Sequence, residues 1–150
     1  MRKILVVDDE PEMRLALKEA LTRKGYSVEL ANDGADALEK MGGSGYGMVI
    51  SDMRMPNAGG MEVLKGVKKA DPNIPVLLVT AFGTVEKAGE AVKQGAVDFI
   101  LKPFTLEALE MTVDKAFRNA EAITSFEANG KAMVSNGSAM AKVLSLAMVA

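Results

Sequence analysis

Five residues that could together carry phosphoryl chemistry lie at the ends of short apolar segments, and they are Asp8, Asp9, Asp52, Thr80 and Lys102. Three carboxylates crowded at one edge would repel one another, because two like charges about 4 Å apart cost on the order of 4 kcal/mol at an effective dielectric of about 20. Such a cluster raises its own pKa values or binds a cation. Oxygen ligands that leave room for water and a phosphate suit Mg²⁺. With the ion bound, Asp52 can be the nucleophile that forms an aspartyl phosphate, while Thr80 and Lys102 bind phosphoryl oxygens.

Each of these residues also has an ordinary structural interpretation. Asp9 followed by Glu12 matches a helix-capping box, in which Asp9 would be the N-cap. Asp52 fits a turn residue before the next segment, and Thr80 and Lys102 fit solvated strand ends. It is their joint placement at the ends of four apolar segments that favours the functional interpretation.

The composition excludes several kinds of chemistry. The chain has no histidine and no cysteine, which rules out Ser-His-Asp and Cys-His catalysis, histidine-ligated zinc, thiolate metal sites and disulfides. Any phosphohistidine must therefore belong to another protein. A net charge of −2 gives no electrostatic reason for nucleic-acid or membrane binding by this chain, and we expect neither. No apolar stretch approaches the ~20 residues that span a bilayer, so we expect a cytoplasmic location.

Apolar runs and amphipathic stretches alternate along most of the chain. Strands are predicted at 3–7, 27–31, 48–51, 75–80 and 97–101, and helices at 10–24, 34–41, 60–69, 84–94 and from about 105. This alternation indicates an α/β fold, a doubly wound five-stranded parallel sheet with helices on both faces. In such a sheet, ligands bind beyond the carboxyl ends of the strands. The candidate residues lie at those ends.

The last helix carries an apolar stripe with alternating steps of three and four residues, formed by Leu106, Leu109, Val113, Ala116, Ala120 and Ile123. This spacing is typical of a coiled-coil seam and predicts a homodimer. From Leu106 to Val113, packing on the chain's own sheet is an equal alternative. We assign residues 1–120 to the main domain, with its last helix extending to about 126. Residues 127–150 are interpreted as a linker and a fragment of a following output domain.

The segments ILVVDDE, SDMRMP, LLVTAFG and DFILKPF occur in the order and spacing of the response regulator receiver domain, which the chain resembles over roughly residues 1–120. The resemblance implies a flavodoxin-like fold with strand order 2-1-3-4-5. It implies that a sensor histidine kinase phosphorylates Asp52. It also implies that Mg²⁺ is bound by Asp9, Asp52 and the backbone carbonyl of Arg54, with Asp8 acting through water.

The same resemblance assigns roles near the last strand. Thr80 would be the switch hydroxyl and Lys102 the lysine that pairs with the phosphate. Phe99 stands where the family keeps its switch aromatic residue, and Lys102–Pro103 where it keeps a cis peptide bond.

Finer details are similar to the receivers of NtrC-type transcription activators, which precede an AAA+ ATPase and a DNA-binding domain. The segments AFGTVEKA, GAVDFILKPF and TLEALE carry this likeness, and the tail VSNGSAMAKVLSLAMVA resembles the opening of such an ATPase. The chain has no G-x-x-x-x-G-K-[ST] loop and so cannot itself be that ATPase. We expect a regulatory piece in which phosphorylation changes the face formed by the fourth helix, fifth strand and fifth helix, together with the dimer state, to control output.

Two other functions stay open at this point. A phosphohydrolase also forms an aspartyl phosphate with Mg²⁺, but such enzymes place a second carboxylate beside the nucleophile, whereas Met53 and Arg54 follow Asp52. An adaptor with a vestigial acidic pocket would bind no Mg²⁺. We expect a signalling switch rather than an enzyme, one that catalyses at most its own phosphotransfer and dephosphorylation.

Overall fold

The computed structural model describes residues 2–42, 45–81 and 85–129, in which strands and helices alternate. The strands are β1 (Lys3–Val7), β2 (Ser27–Ala31), β3 (Met48–Asp52), β4 (Val76–Thr80) and β5 (Asp98–Leu101). The helices are α1 (Pro11–Arg23), α2 (Gly34–Met41), α3 (Gly60–Ala70), α4 (Val85–Lys93) and α5 (Leu106–Asn129). Apart from the end of α5, each predicted boundary is shifted by no more than about one residue, which is within the ambiguity of helix and strand ends.

The strands form one parallel sheet in the order β2-β1-β3-β4-β5, which confirms the predicted doubly wound fold. Val7 of β1 pairs with Ser51 of β3. Asp8 and Asp52, the next residue of each chain segment, are therefore neighbours at the carboxyl edge of the sheet. Thr80 pairs with Leu101 in the same way, so Lys102 reaches that edge too.

Alternating strand side chains fill two apolar cores, one on each face of the sheet. Leu5 and Val7 of β1 face the core that α2, α3 and α4 cover. Ile4 and Val6 face the core that α1 and α5 cover. Every residue of β3 and β4 is buried, as the nearly continuous apolar sequence of these strands predicted. The central strands are thus held from both sides.

Helix α1 begins without the Asp9 cap that the sequence suggested. Its N-cap is Glu10, whose side chain makes no capping hydrogen bond. Pro11 occupies the first helical position and has no N–H, so one donor fewer needs a partner. The capping-box interpretation of Asp9 and Glu12 is therefore wrong, and Asp9 is exposed beside the strand end.

The first turns of α5 pack onto the chain's own sheet. Leu109 and Val113 are fully buried, Ala116 is nearly so, and Leu106 packs against the same core. Because their surface is already covered within one protomer, the predicted dimer seam is wrong for Leu109, Val113 and Ala116. From Leu106 to Val113 the intramolecular alternative is correct, and the burial of Ala116 extends it by one helical turn.

Helix α5 continues to Asn129, beyond the predicted end at about 126. Glu127 and Ala128 are good helix formers, and Gly130 is the next residue that disfavours a helix. The side chains of Ala120 and Ile123, and the remainder of the predicted linker and output fragment from residue 130, lie outside the described residues. Within the described part of the chain, no helix has the length and apolar character that a membrane span requires.

A cluster of polar and aromatic groups attaches α5 to the start of the domain. The Tyr26 hydroxyl donates a hydrogen bond to Asp114, and Lys24 pairs with the same carboxylate at 3.1 Å. The Tyr26 ring stacks on Phe117 with ring centroids 5.2 Å apart. On the same ring, the Arg2 guanidinium lies 4.6 Å from the centroid. Burial, reinforced by the Asp114 hydrogen bond, raises the pKa of Tyr26 to about 12, so the hydroxyl stays protonated at neutral pH.

We expect Leu64→Ala to lower the free energy of unfolding by about 2–5 kcal/mol, because it leaves a cavity between α3 and the sheet. Leu64 is fully buried, whereas Leu15 of α1 is 56% exposed. Leu15→Ala is therefore the matched control, with an expected change below about 0.5 kcal/mol. Urea unfolding followed by circular dichroism measures both, and equal losses would contradict the assigned core.

Candidate functional site

Four carboxylates meet at the carboxyl edge of the sheet. Asp8, Asp9, Glu10 and Asp52 each offer an oxygen, and these oxygens lie within 4.8 Å of one another. Asp8 and Asp52 are buried at 1% and 8% exposure, whereas Asp9 and Glu10 are exposed. The structure therefore brings together the three aspartates that the sequence singled out, in a pocket with a buried floor and an open rim.

Glu10 belongs to this cluster although the sequence analysis gave it no role. Its position directly after the two aspartates was the available signal, but the residue was assigned only to the start of α1. Its backbone N–H donates a 2.9 Å hydrogen bond to the Asp8 carboxylate. Arg14 from the first turn of α1 donates to the Asp8 carbonyl at 2.6 Å. The beginning of α1 thus fixes Asp8 through backbone and side-chain contacts.

Lys102 supplies the positive charge of the site. Its ammonium group lies 3.4 Å from a carboxylate oxygen of Asp52, and both side chains are largely covered. The Lys102 backbone N–H donates to the Thr80 carbonyl at 2.8 Å, which continues the pairing of β4 and β5. The peptide bond between Lys102 and Pro103 is cis, as the family resemblance implied. Lys102 therefore reaches Asp52 from the end of the edge strand.

Burial and mutual repulsion perturb the two buried carboxyls. Desolvation raises the pKa of Asp8 to about 6, with the Asp52 charge adding to this and the Glu10 N–H opposing it. Desolvation also raises the pKa of Asp52, while Lys102 acts in the opposite direction. The Asp52 pKa is further lowered by the Met53 N–H and raised by Asp9. Lys102 pairs directly with Asp52 and its charge also lowers the pKa of Asp8, but the burial of Asp8 outweighs this attraction.

Thr80 and Phe99 lie on neighbouring strands but in different surroundings. Thr80 is fully buried, and its hydroxyl donates a 3.2 Å hydrogen bond to the Ala81 carbonyl. The alternative interpretation of Thr80 as a solvated strand end is therefore wrong, and β5 pairs with β4 as far as this residue. Phe99 is partly buried against the core on the α2–α3–α4 face.

The loop from Met53 to Gly59 passes close to the acidic pocket and contains Arg54. The Gly60 N–H donates to the Met53 carbonyl at 2.9 Å. A Cβ atom at Gly60 would lie 2.8 Å from the Asp52 carbonyl oxygen, and one at Gly59 would lie 2.9 Å from that of Met53. Both distances are too short for a side chain, so these glycines permit the start of α3 to pack directly behind Asp52. The local sequence pattern did not indicate that glycine is required at these two positions.

The donor set fits Mg²⁺. It consists only of oxygen atoms on one open side of the sheet, and Mg²⁺ is usually held by one or two carboxylates while keeping several waters. The exposed Asp9 and Glu10 leave room for those waters. Receiver domains generally bind Mg²⁺ at an acidic pocket of this kind.

The fold and this site define a signalling domain of the two-component type, and comparison with known proteins agrees. The chain belongs to the response regulator receiver domain family, whose family model matches residues 4–114. The predicted resemblance to receivers, and to those of NtrC-type regulators, is confirmed.

Individual proteins of this family are similar to the chain in sequence and in structure. Transcriptional regulatory protein ZraR of Escherichia coli K12 is 39% identical over 152 aligned positions, covering 98% of this chain and 34% of that protein. A crystal structure of NtrX from Brucella abortus in complex with ADP has a TM-score of 0.81 at 28% identity, covering 87% of this chain and 30% of that one. A receiver domain protein from Clostridium thermocellum has a TM-score of 0.77 at 30% identity, covering 82% of this chain and 99% of that one. The chain thus spans about a third of the length of ZraR.

We expect Asp8→Asn to raise the free energy of unfolding at pH 7.5, without divalent ions, by about 1–3 kcal/mol. The pKa of Asp8 is raised from 3.8 to about 6. A raised carboxyl pKa means that the group's stabilising contribution is complete below pH 3.8 and lost as the pH rises through 6. The advantage of the amide should therefore shrink between pH 7.5 and pH 4.

Urea unfolding at several pH values measures this difference. Glu90→Gln, an exposed substitution on α4, removes one negative charge elsewhere and serves as the control. An Asp8→Asn variant less stable than the wild type at pH 7.5 would show that the site does not strain this carboxylate.

Proposed function

We propose that this domain is a Mg²⁺-dependent phosphoacceptor switch, in which Asp52 takes a phosphoryl group from a partner histidine kinase. The observation that carries the proposal is the Asp52 carboxylate itself, which lies among three other carboxylates with the Lys102 ammonium 3.4 Å away. A nucleophile for phosphoryl transfer needs neutralised surroundings and a positive group near the incoming oxygens. The acids can hold the Mg²⁺ that would neutralise the site, and the Lys102 ammonium is the positive group near the incoming oxygens.

In the proposed reaction a carboxylate oxygen of Asp52 bonds to phosphorus while the bond from phosphorus to the donor breaks. The carboxylate is already deprotonated as the reacting species, so no general base is needed. Bound Mg²⁺, held by Asp9, Asp52 and the Arg54 carbonyl with Asp8 acting through water, would neutralise charge on the transferred group. Lys102 is close enough to exchange its partner from the Asp52 oxygen to a phosphoryl oxygen. That exchange compensates part of the new charge.

The resulting aspartyl phosphate would bring about −1.5 to −2 charges to the end of β3. Thr80, which pairs with Leu101 directly before Lys102, is the hydroxyl proposed to move toward the phosphoryl group. Phe99 would repack into the space left behind, and the face of α4, β5 and α5 would change. This is a two-state switch, because the phosphoryl group favours one of two packings.

The wider assignment concerns a longer protein. We assign residues 1–120 to the receiver, with its last helix continuing to Asn129, and the remaining residues 130–150 to a linker and the beginning of an output module. The similarity to ZraR, a transcriptional regulatory protein, supports an output that regulates transcription. The resemblance to NtrC-type receivers is the basis for proposing that this output is transcription-activating and has ATPase and DNA-binding domains. The rival phosphohydrolase function is disfavoured, because Met53 and Arg54 follow Asp52 and provide no carboxylate to act as general acid.

Incubation with acetyl phosphate and Mg²⁺ should add one phosphoryl group to the wild-type chain and none to Asp52→Asn, because only the carboxylate is nucleophilic. Intact mass spectrometry measures the adduct. Asp71→Asn, an exposed aspartate in the loop between α3 and β4, is the control and should be phosphorylated like the wild type. Modification of Asp52→Asn to the same extent would refute Asp52 as the acceptor, and turnover of phosphomonoesters would favour the hydrolase.

We also propose that the chain forms a homodimer whose arrangement depends on phosphorylation. With three of the six seam residues buried in the protomer, this proposal now rests on the segment that includes Ala120 and Ile123. Sedimentation velocity should show concentration-dependent dimers that change with a phosphoryl mimic. Ile123→Lys should weaken them, whereas Met111→Lys, on an exposed side chain of the same helix, should not. A monomer at every concentration, with and without the mimic, would refute the dimer.

A further inference from the structure

The loop between β3 and α3 is attached at its far end to the beginning of α2. Asn57 donates a 2.9 Å hydrogen bond from its side-chain amide to the Asp33 carboxylate. One residue further along each segment, the Gly34 N–H donates to the Ala58 carbonyl at 3.1 Å. We call these two contacts, between Asp33–Gly34 and Asn57–Ala58, the loop brace. Neither the family motifs nor the acidic pocket accounts for it.

Asp33 holds two elements at once. One of its carboxylate oxygens accepts a 2.8 Å hydrogen bond from the Asp36 N–H and so caps α2, while the other accepts from Asn57. Asn57 has a φ of 70°, and it is the one non-glycine residue with positive φ in the described part of the chain. Asparagine tolerates this left-handed conformation better than most residues. The conformation of the loop and its side-chain contact are therefore fixed by the same residue.

Gly34 makes the brace tight. A Cβ atom at this position would lie 2.2 Å from the Ala58 carbonyl oxygen, which is a backbone atom that cannot rotate away. Only glycine allows the two backbones to approach this closely. The approach is thus built into the sequence and does not depend on a flexible side chain.

The braced loop begins in the acidic pocket. At its start, the Met53 N–H donates to the Val79 carbonyl at 2.8 Å, which anchors it to β4. Arg54 lies between this anchor and the brace, and its side chain is exposed. The path of the backbone at Arg54 is consequently set by the two ends of the loop, one at β4 and one at α2.

We propose that Asp33, Gly34 and Asn57 are positioning residues, which hold the β3–α3 loop so that the Arg54 carbonyl lies where Mg²⁺ is bound. This inference rests on the proposed function, since it concerns the same metal site. It adds a structural support supplied by α2, an element that contributes no side chain to the pocket. Groups that orient metal ligands typically change metal affinity by about 10–100-fold when removed. An exposed hydrogen bond such as this one belongs at or below the lower end of that range.

The test is Mg²⁺ titration of the full 150-residue chain, followed by ¹H–¹⁵N NMR, together with the phosphorylation rate from acetyl phosphate at saturating Mg²⁺. Asn57→Gly keeps the positive φ but loses the hydrogen bond. Asp33→Ser keeps a cap for α2 but is too short to reach Asn57. We expect both to raise the Kd for Mg²⁺ by about three- to tenfold. The rate at saturating Mg²⁺ should stay within about twofold of the wild type, because bound metal restores the loop.

A reversed pair provides the rescue. Asn57→Asp alone should weaken Mg²⁺ binding further through repulsion from Asp33, whereas the double variant with Asp33→Asn should regain most of the wild-type affinity. Asn73→Gly, in the turn between α3 and β4, controls for loss of an exposed asparagine. Wild-type Kd values in both Asn57→Gly and Asp33→Ser would overturn the inference while leaving the proposed function intact. A wild-type chain that binds no Mg²⁺ and forms no adduct would overturn both.

Discussion

Carboxylates at the ends of β1 and β3 repel one another, and burial strengthens the repulsion because little water separates them. They cannot move apart, since the strands that carry them are adjacent in the sheet and packed between two apolar cores. Lys102 pairs directly with Asp52, and its charge lowers the pKa of Asp8 by less than burial raises it, so the cost of burying these acids appears in the raised pKa of Asp8. The fold thus holds negative charge at a fixed place. Any cation or charged group that enters there changes the electrostatic repulsion among the carboxylates at this edge of the sheet.

The structure keeps this charge in place mostly with backbone groups. The Glu10 N–H contacts Asp8, the start of α3 packs behind Asp52 through two glycines, and the far end of the β3–α3 loop meets α2 through Gly34. Backbone contacts are short and have few alternative conformations, so they define positions better than long side chains do. A site that must hold a metal and a phosphoryl group in turn benefits from such supports, because its ligands are already oriented before either arrives.

The sequence predicted the strands, the helices and the three aspartates because these depend on local patterns, namely apolar runs and the polar residues that end them. It did not predict the role of Gly34, Gly59 and Gly60, which follows from close approaches between segments distant in sequence. The burial of Thr80 was not predicted, because its neighbour in the sheet is β5, which comes later in the sequence. The stripe on α5 was ambiguous for a physical reason, since the same spacing of apolar residues serves a coiled coil and a helix lying on its own sheet. Burial of Leu109 and Val113 decided between the two.

Phe117 is the last large side chain of α5 for which the structure describes burial in the core, and it packs against Tyr26 and Arg2. From this point the helix continues to Asn129. At 1.5 Å per residue, this part of the helix is about 18 Å long. Phe117 is therefore the packed point about which the rest of the helix could tilt. A tilt of about 10° about Phe117 would move Asn129 by about 3 Å. A small repacking around Phe117 would thereby displace the end of the helix by about the size of an atom.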